Sequence, residues 1–208
     1  YTVTLDVDAT VASLTLGGSS GTQTLSNSSK TLTLSGASTV GSNGVFSMSG
    51  GTLTGVGALT VNGAFQWTSG IMSGTGSTTI ASGVTLAISG AGTKFLTQRT
   101  LTNDGVMTWN GTGGNGAGGI GAGNGGTMQN NGTFEIQGDP TWFNTFGGTV
   151  TTFNNAGTLK RTTGTGTAGL DYAAVNNTGT VEVQTGTLRL GSGGTSSGAF
   201  TLASGTTL

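Results

Sequence analysis

One short phrase returns four times in the second half of the chain. It reads LTNDGVMTWNG from Leu101, MQNNGTFEIQG from Met128, FNNAGTLKRTT from Phe153 and VNNTGTVEVQT from Val175. Each copy has an apolar residue, one or two Asn, a Gly and a small step, then alternating apolar and polar positions. Gly105, Gly132, Gly157 and Gly179 are in register, spaced 27, 25 and 22 residues apart. Self-similarity at such periods marks solenoids and arrays. The unit here is a turn plus a strand with no helical phrase between. The expected fold is all-β: a single-stranded parallel β-helix, or β-solenoid, with three short strands per rung of about 20–25 residues.

The phrase also predicts its own packing. In a solenoid, equivalent residues of successive rungs lie about 4.8 Å apart. Asn130/Asn131, Asn154/Asn155 and Asn176/Asn177 are then expected to stack at one corner, with Asn131, Asn155 and Asn177 as the ladder. Stacked carboxamides hydrogen-bond along the axis, and Asn tolerates the backbone that corners need. The Gly that follows supplies either a positive φ or a close approach of two chains. After it, Phe134 and Ile136 share one face and Glu135 takes the other. Lys160 and Glu182 hold the position of Glu135 in the next two rungs, so a Glu–Lys–Glu ladder of alternating sign is expected. We read it as an exposed structural ladder rather than catalytic machinery.

Composition excludes most other folds. Of 208 residues, 43 are Gly, one is Pro and only 6% are charged, against about 25% in ordinary soluble domains. Disordered chains are usually highly charged and poor in β-branched residues, which this one is not. No Gly-X-Y period exists, so collagen is excluded. No stretch sustains the 3.6-residue apolar spacing of a helix.

The N-terminal half carries the same grammar at shorter range. In YTVTLDVDATVASLTL, Val3, Leu5 and Val7 alternate with Thr2, Thr4 and Asp6, the period of a strand with one buried face. On that strand Asp6 and Asp8 share the outward side. They are a possible calcium pair, since calcium takes oxygen ligands, or two solvated acids at a strand end. From Gly50 to Gly90, glycines recur every 6 or 7 residues at Gly51, Gly57, Gly63, Gly70, Gly76 and Gly83. Three such segments make a triangular rung of about 20 residues. The chain, read as one elongated domain over 1–208 that is a mature piece or fragment of something longer, is expected to form roughly ten rungs in a rod about 50 Å long. The long rungs and the Asn corner favour right-handed winding, whereas the six-residue phrasing resembles left-handed hexapeptide solenoids.

Two segments break the pattern. GTGGNGAGGIGAGNGG, residues 111–126, lacks the periodic Asp of calcium-binding Gly-rich repeats and the Lys-Ser/Thr of a phosphate loop. It is expected to be a loop or a thin, Gly-lined rung. Residues 139–148 hold the only Pro and three aromatics, Trp142, Phe143 and Phe146. We expect this segment to leave the rung as an aromatic loop, a possible binding loop for a glycan or matrix surface.

Chemistry is constrained by what is missing. The chain contains no His and no Cys, so Ser–His–Asp and Cys–His arrangements cannot be built from it, and N/S-ligated metals have no ligands. Of its seven acids, only Glu135 and Asp139 lie near the aromatic segment, and Lys160 accounts for Glu135 without catalysis. The expectation is no enzyme and no cofactor. Six scattered Lys and Arg against seven acids make no basic surface, so no nucleic-acid partner is expected. No apolar run reaches the 18 or so residues of a membrane helix, so no membrane insertion of this segment is expected.

The phrases TVTLDVDATVASLTLGG, GGTLTGVGALTVNGAFQWTSG and NNTGTVEVQTGTLRLGSGGTSSGAF resemble the Gly/Thr/Asn-rich repeat regions of large bacterial secreted surface proteins. They are similar to autotransporter passengers and filamentous adhesins. That resemblance implies an extracellular stalk, fibre or adhesive rod and carries over no catalytic residue. The leading expectation is a structural rod or filament subunit whose open ends associate end to end, because uncapped solenoid ends expose strand edges. A second is ice binding through the Thr pairs at Thr2/Thr4, Thr22/Thr24, Thr31/Thr33, Thr52/Thr54, Thr100/Thr102 and Thr149/Thr151. Carbohydrate binding or cleavage at the aromatic segment is the third.

Overall fold

The computed structural model describes residues 1–114 and 117–208. The chain winds as a parallel β-solenoid of about nine turns, with no helix among the described residues. The first turn is β1 (Thr2–Thr4), β2 (Ala9–Val11) and β3 (Thr15–Leu16); the second is β4 (Gln23–Asn27), β5 (Thr31–Leu34) and β6 (Ser38–Val40). The third is β7 (Gly44–Thr54) and β8 (Leu59–Val61), and the fourth β9 (Ala64–Met72) and β10 (Ser77–Ile80). The fifth is β11 (Thr85–Ile88), β12 (Lys94–Thr97) and β13 (Thr100–Asn103), and the sixth β14 (Val106–Gly114), β15 (Ile120–Gly123) and β16 (Thr127–Asn130). The seventh is β17 (Thr133–Asn144) and β18 (Thr151–Asn155), and the eighth β19 (Thr158–Arg161), β20 (Thr167–Leu170) and β21 (Ala173–Asn177). The ninth holds β22 (Thr180–Val183) and β23 (Thr187–Leu190), and β24 (Ala199–Leu202) opens a further turn.

Every strand pair is parallel, so the strands stack into three faces. Face A runs from β1 through β4, β11, β14, β19 and β22 to β24. Face B runs from β2 through β5, β12, β15 and β20 to β23. Face C is a separate eight-stranded sheet from β3 to β21. Faces A and B join because β7, β9 and β17 are long enough to turn the corner between them without a break. Gly70, at that corner in β9, has φ of +99°, a conformation that costs a side-chain-bearing residue dearly.

Alternation within each strand sends one row of side chains inward. On face A the inward column begins Val3–Leu25–Phe46–Phe65–Leu86. It continues Met107–Phe134–Leu159–Val181–Phe200. A second column stacks Met48, Trp67, Ile88, Trp109, Ile136 and Arg161. Rings meet along the axis: Phe46 and Phe65 at 5.0 Å, Trp109 and Trp142 edge-on at 6.2 Å. All three Trp are fully buried. The core is a thin, continuous wire of side chains.

Two expectations need correction. The first strand ends at Thr4, so Asp6 and Asp8 lie in the turn between β1 and β2 and not side by side on a strand face. Val7, expected inward, is 62% exposed. These residues fall at the corner between faces A and B, where the next turn likewise breaks between Asn27 and Thr31. Residues 139–144 do not leave the rung as a loop either, and only 145–148 form a turn. β17 runs on through Asn144, with Pro140 opposite Gly114 and Trp142 paired with Ile120 and Leu170. Burying the Trp142 indole holds the segment in the wall. Within 111–126, β15 is a thin Gly-rich rung, and residues 115 and 116 lie outside the described residues.

Candidate functional site

The Gly-rich rung and the aromatic segment are two halves of one feature on face B. Phe95, Gly121 and Phe143 form an outward column, one from each of three successive turns. A Cβ on Gly121 would meet the Phe95 ring at 2.8 Å, and one on Gly119 would meet the Phe143 ring at 2.9 Å. The two rings therefore lie over backbone that carries no side chains. Phe146 packs edge-on against Phe95 at 5.6 Å and remains 36% exposed. The turn bearing Phe146 is fixed to the next rung, where the Tyr172 hydroxyl donates to the Gly148 carbonyl at 3.0 Å. Trp142, predicted as part of a binding loop, is fully buried and faces the core, so the outward patch consists of Phe95, Phe143 and Phe146.

The Asn ladder contains the expected Asn155 and Asn177, but Asn130 takes the place expected of Asn131 and Asn103 extends the column by one rung. Asn103 Nδ2 donates to Asn130 Oδ1, Asn130 to Asn155 and Asn155 to Asn177, each at 2.7 Å. The same amides donate to the carbonyls of Thr133, Thr158 and Thr180, which begin the following strands. These four side chains are buried. Asn131 stands outside the column, exposed, donating to Asp104 at 2.7 Å. The ladder residue sits two positions before Gly105, Gly132, Gly157 and Gly179 in all four repeats, a spacing present in the sequence that selects Asn130 over Asn131 and adds Asn103. None of those glycines has a positive φ. They are required because a Cβ on Gly132 would fall on the Gly105 carbonyl oxygen, and likewise down the column.

Glu135, Lys160 and Glu182 stack in register on the outside of face A. Lys160 pairs with Glu135 at 3.2 Å. Glu135 also accepts from Gln137 at 3.0 Å and Thr162 at 2.8 Å, and these bonds with the lysine hold its carboxyl below the usual carboxylate range. Glu182 accepts from Gln184 at 3.2 Å. Asp139 is held by buried Arg161 at 2.5 Å. Near the N-terminus, Asp8 accepts the Thr31 amide at 2.8 Å. Among the described residues, no three Asp, Glu, His or Cys lie close enough together to hold a metal ion.

Three cations lie inside the solenoid, a placement the sequence reading missed. Arg99 is fully buried and has no acidic partner among the described residues. Its guanidinium donates to the carbonyls of Gly57 at 3.1 Å, Ser73 at 3.2 Å and Ser77 at 2.7 Å, and to the Thr78 hydroxyl at 2.8 Å. It thus ties the B–C corners of three turns, and burial lowers its pKa to about 10. Lys94 takes an inward position between Gly70 and Ile120, where its ammonium donates to the Gly90 carbonyl at 2.8 Å. Desolvation lowers its pKa to about 8. Arg161 completes the set.

The Thr pairs scatter over the three faces. Thr2/Thr4 lie on face A, Thr31/Thr33 stack on Thr52/Thr54 on face B, and Thr100/Thr102 lie on face C. Thr22 precedes β4, and Thr151 is buried. A regular row does exist on face C, where Thr15, Thr39, Thr60, Thr79 and Thr102 stack in one column.

At the two ends of the solenoid the apolar columns meet solvent. Val3 is half-exposed, as are Phe200, Leu202 and Leu208. No protein-family profile, curated protein or solved structure matches the chain.

Proposed function

We propose that this chain is a non-enzymatic structural β-solenoid, a rod or filament subunit of an extracellular bacterial surface or matrix fibre that associates end to end. The inward column from Val3 to Phe200 supports this reading. It is apolar at both ends and at every rung between, and its first and last members stand half-exposed beside strand edges that pair on one side only. Open parallel edges of this kind template the addition of another strand. Heterologous head-to-tail contacts then propagate as filaments. The side-chain pairs of Glu135 with Lys160 and Asp139 with Arg161 also suit a structural role for these acids.

Electron microscopy of the purified chain at increasing concentration tests the proposal. Fibres built of rods about 45 Å long are expected, from ten stacked strands at the sheet spacing. Single short rods at every concentration would overturn it.

The Thr column of face C favours a second reading, ice binding. None of the eight strands of that sheet carries a charged residue, so the column stands on an uncharged surface. An ice-recrystallisation assay decides it: inhibition at micromolar protein that is lost in Thr60→Lys/Thr79→Lys supports it, and no inhibition removes it.

A further inference from the structure

On face B the sixth turn presents no outward side chains. Its outward positions are Gly119, Gly121 and Gly123, while Ile120 and Ala122 face the core. The Phe95 ring lies over Gly121 from the turn before and the Phe143 ring over Gly119 from the turn after, so the two pave the gap from both sides. Both rings are partly exposed, each covered on the side turned to the glycines. Ile71, next to Phe95 in the outward column, extends the strip by one turn. Phe146 stands edge-on to Phe95 at 5.6 Å and walls it on one side.

The surroundings are polar and carry no net charge. Asn124, Asn144 and Thr145 are exposed beside the strip, and the Thr145 hydroxyl reaches over Gly121. At the other end Asp171 follows Phe143 in the outward column, its amide donating to the Trp142 carbonyl at 2.9 Å. Its carboxylate accepts from Arg189 Nε at 2.6 Å and Nη2 at 2.5 Å, so the two charges cancel. The Arg189 side chain is 60% exposed and keeps further N–H donors for a ligand. Lys94, although next to Phe95 in sequence, points inward.

Size and charge select the occupant. Phe146, the most open of the three rings, is 36% exposed, so together the rings offer roughly 200 Å². A stable protein partner covers about 800 Å² on each side. The strip has the area of a sugar ring or two instead. Aromatic rings stack on the C–H face of a sugar, and the hydroxyls round its edge take hydrogen bonds from carboxamides and a guanidinium fork. An acidic glycan gains nothing from a strip without net charge. Sugars with equatorial hydroxyls, as in β-1,4-linked glucans, combine apolar faces with a polar edge. We propose that the strip of Phe95, Phe143 and Phe146 on face B binds a neutral β-1,4-glucan chain, with Arg189 and Asp171 at its polar end.

Isothermal titration calorimetry of the whole chain with cellohexaose tests this, with acidic polygalacturonate as the comparison. Saturable binding of cellohexaose alone is expected. Phe143→Ala and Arg189→Ala are each expected to weaken it about tenfold, whereas Phe143→Tyr, which keeps the ring, preserves it. Arg189 is exposed, so its variant keeps the site testable should Phe143→Ala fail to fold. No saturable binding, or equal binding of polygalacturonate, would overturn the proposal. So would cellohexaose binding left unchanged in variants whose circular dichroism matches the wild type. Sedimentation of the wild type and Phe143→Ala reads the competing occupant: self-association that the substitution abolishes, without glucan binding, would give the strip to a second copy.

Discussion

The Asn130 amide donates to the Asn155 carboxamide oxygen at 2.7 Å, with both side chains out of solvent, and each also donates to the carbonyl that opens the next strand. The ladder therefore ties rungs to one another and face C to face A. In the first four turns the same column holds Leu16, Val40, Val61 and Ile80.

Truncating Asn155 orphans the Asn130 amide proton, the Asn177 carboxamide oxygen and the Thr180 carbonyl. Asn155→Ala is expected to lower unfolding free energy by about 3 kcal/mol, since each buried orphan costs about 1–3 kcal/mol. Asn131→Ala should stay within about 0.5 kcal/mol, as exposed substitutions do. Urea denaturation of the two variants checks the register, and equal losses would contradict it.

Lys94 gives the fold a pH dependence of definite sign. Burial lowers its pKa in the folded chain to about 8, against 10.5 for a lysine in water. Between those values the unfolded chain binds more protons, so stability rises with pH across the window. The lysine's penalty is fully present below about pH 8. A shift of this size corresponds to roughly 3 kcal/mol. Lys94→Met is expected to raise the melting temperature at pH 7 and to remove the rise between pH 8 and 10.5. A wild-type melting temperature flat across that window would refute the assignment.

Arg99 is the opposite case, a buried cation whose donors are matched by carbonyls. Arg99→Lys presents a point charge where a planar fork is needed, and so is expected to cost nearly as much as Arg99→Met, about 3–5 kcal/mol in each case. Thermal or urea melts measure it. A lysine variant close to wild type would show that charge alone, not the fork, holds the corner.

Gly121 and Phe95 should be energetically coupled. A side chain at position 121 collides with the Phe95 ring and with the Thr145 hydroxyl. Gly121→Val is expected to destabilise by about 2–3 kcal/mol, and Phe95→Ala in the same chain to restore at least 1 kcal/mol of it. A double-mutant cycle with no coupling would mean that the ring does not lie over the rung.

The sequence alone determined the kind of object this is. Alternation at period two, a Gly–Asn phrase at 22–27 residues and the lack of charge leave parallel rungs as the arrangement that buries the apolar row. Those are local properties, visible along the chain. Whether Asn130 or Asn131 enters the ladder is a shift of one residue, and a one-residue shift turns a side chain from core to solvent. Only the stacking of one turn on the next decides it. The same holds for Trp142, drawn into the wall because Ile120 and Leu170 flank it, and for Asp6 and Asp8, which fall in the turn that carries the chain from face A to face B. The buried cations were the least legible. Arg99 meets carbonyls 22 to 42 residues away, a distance in sequence that becomes a single corner only once the chain has wound round three times.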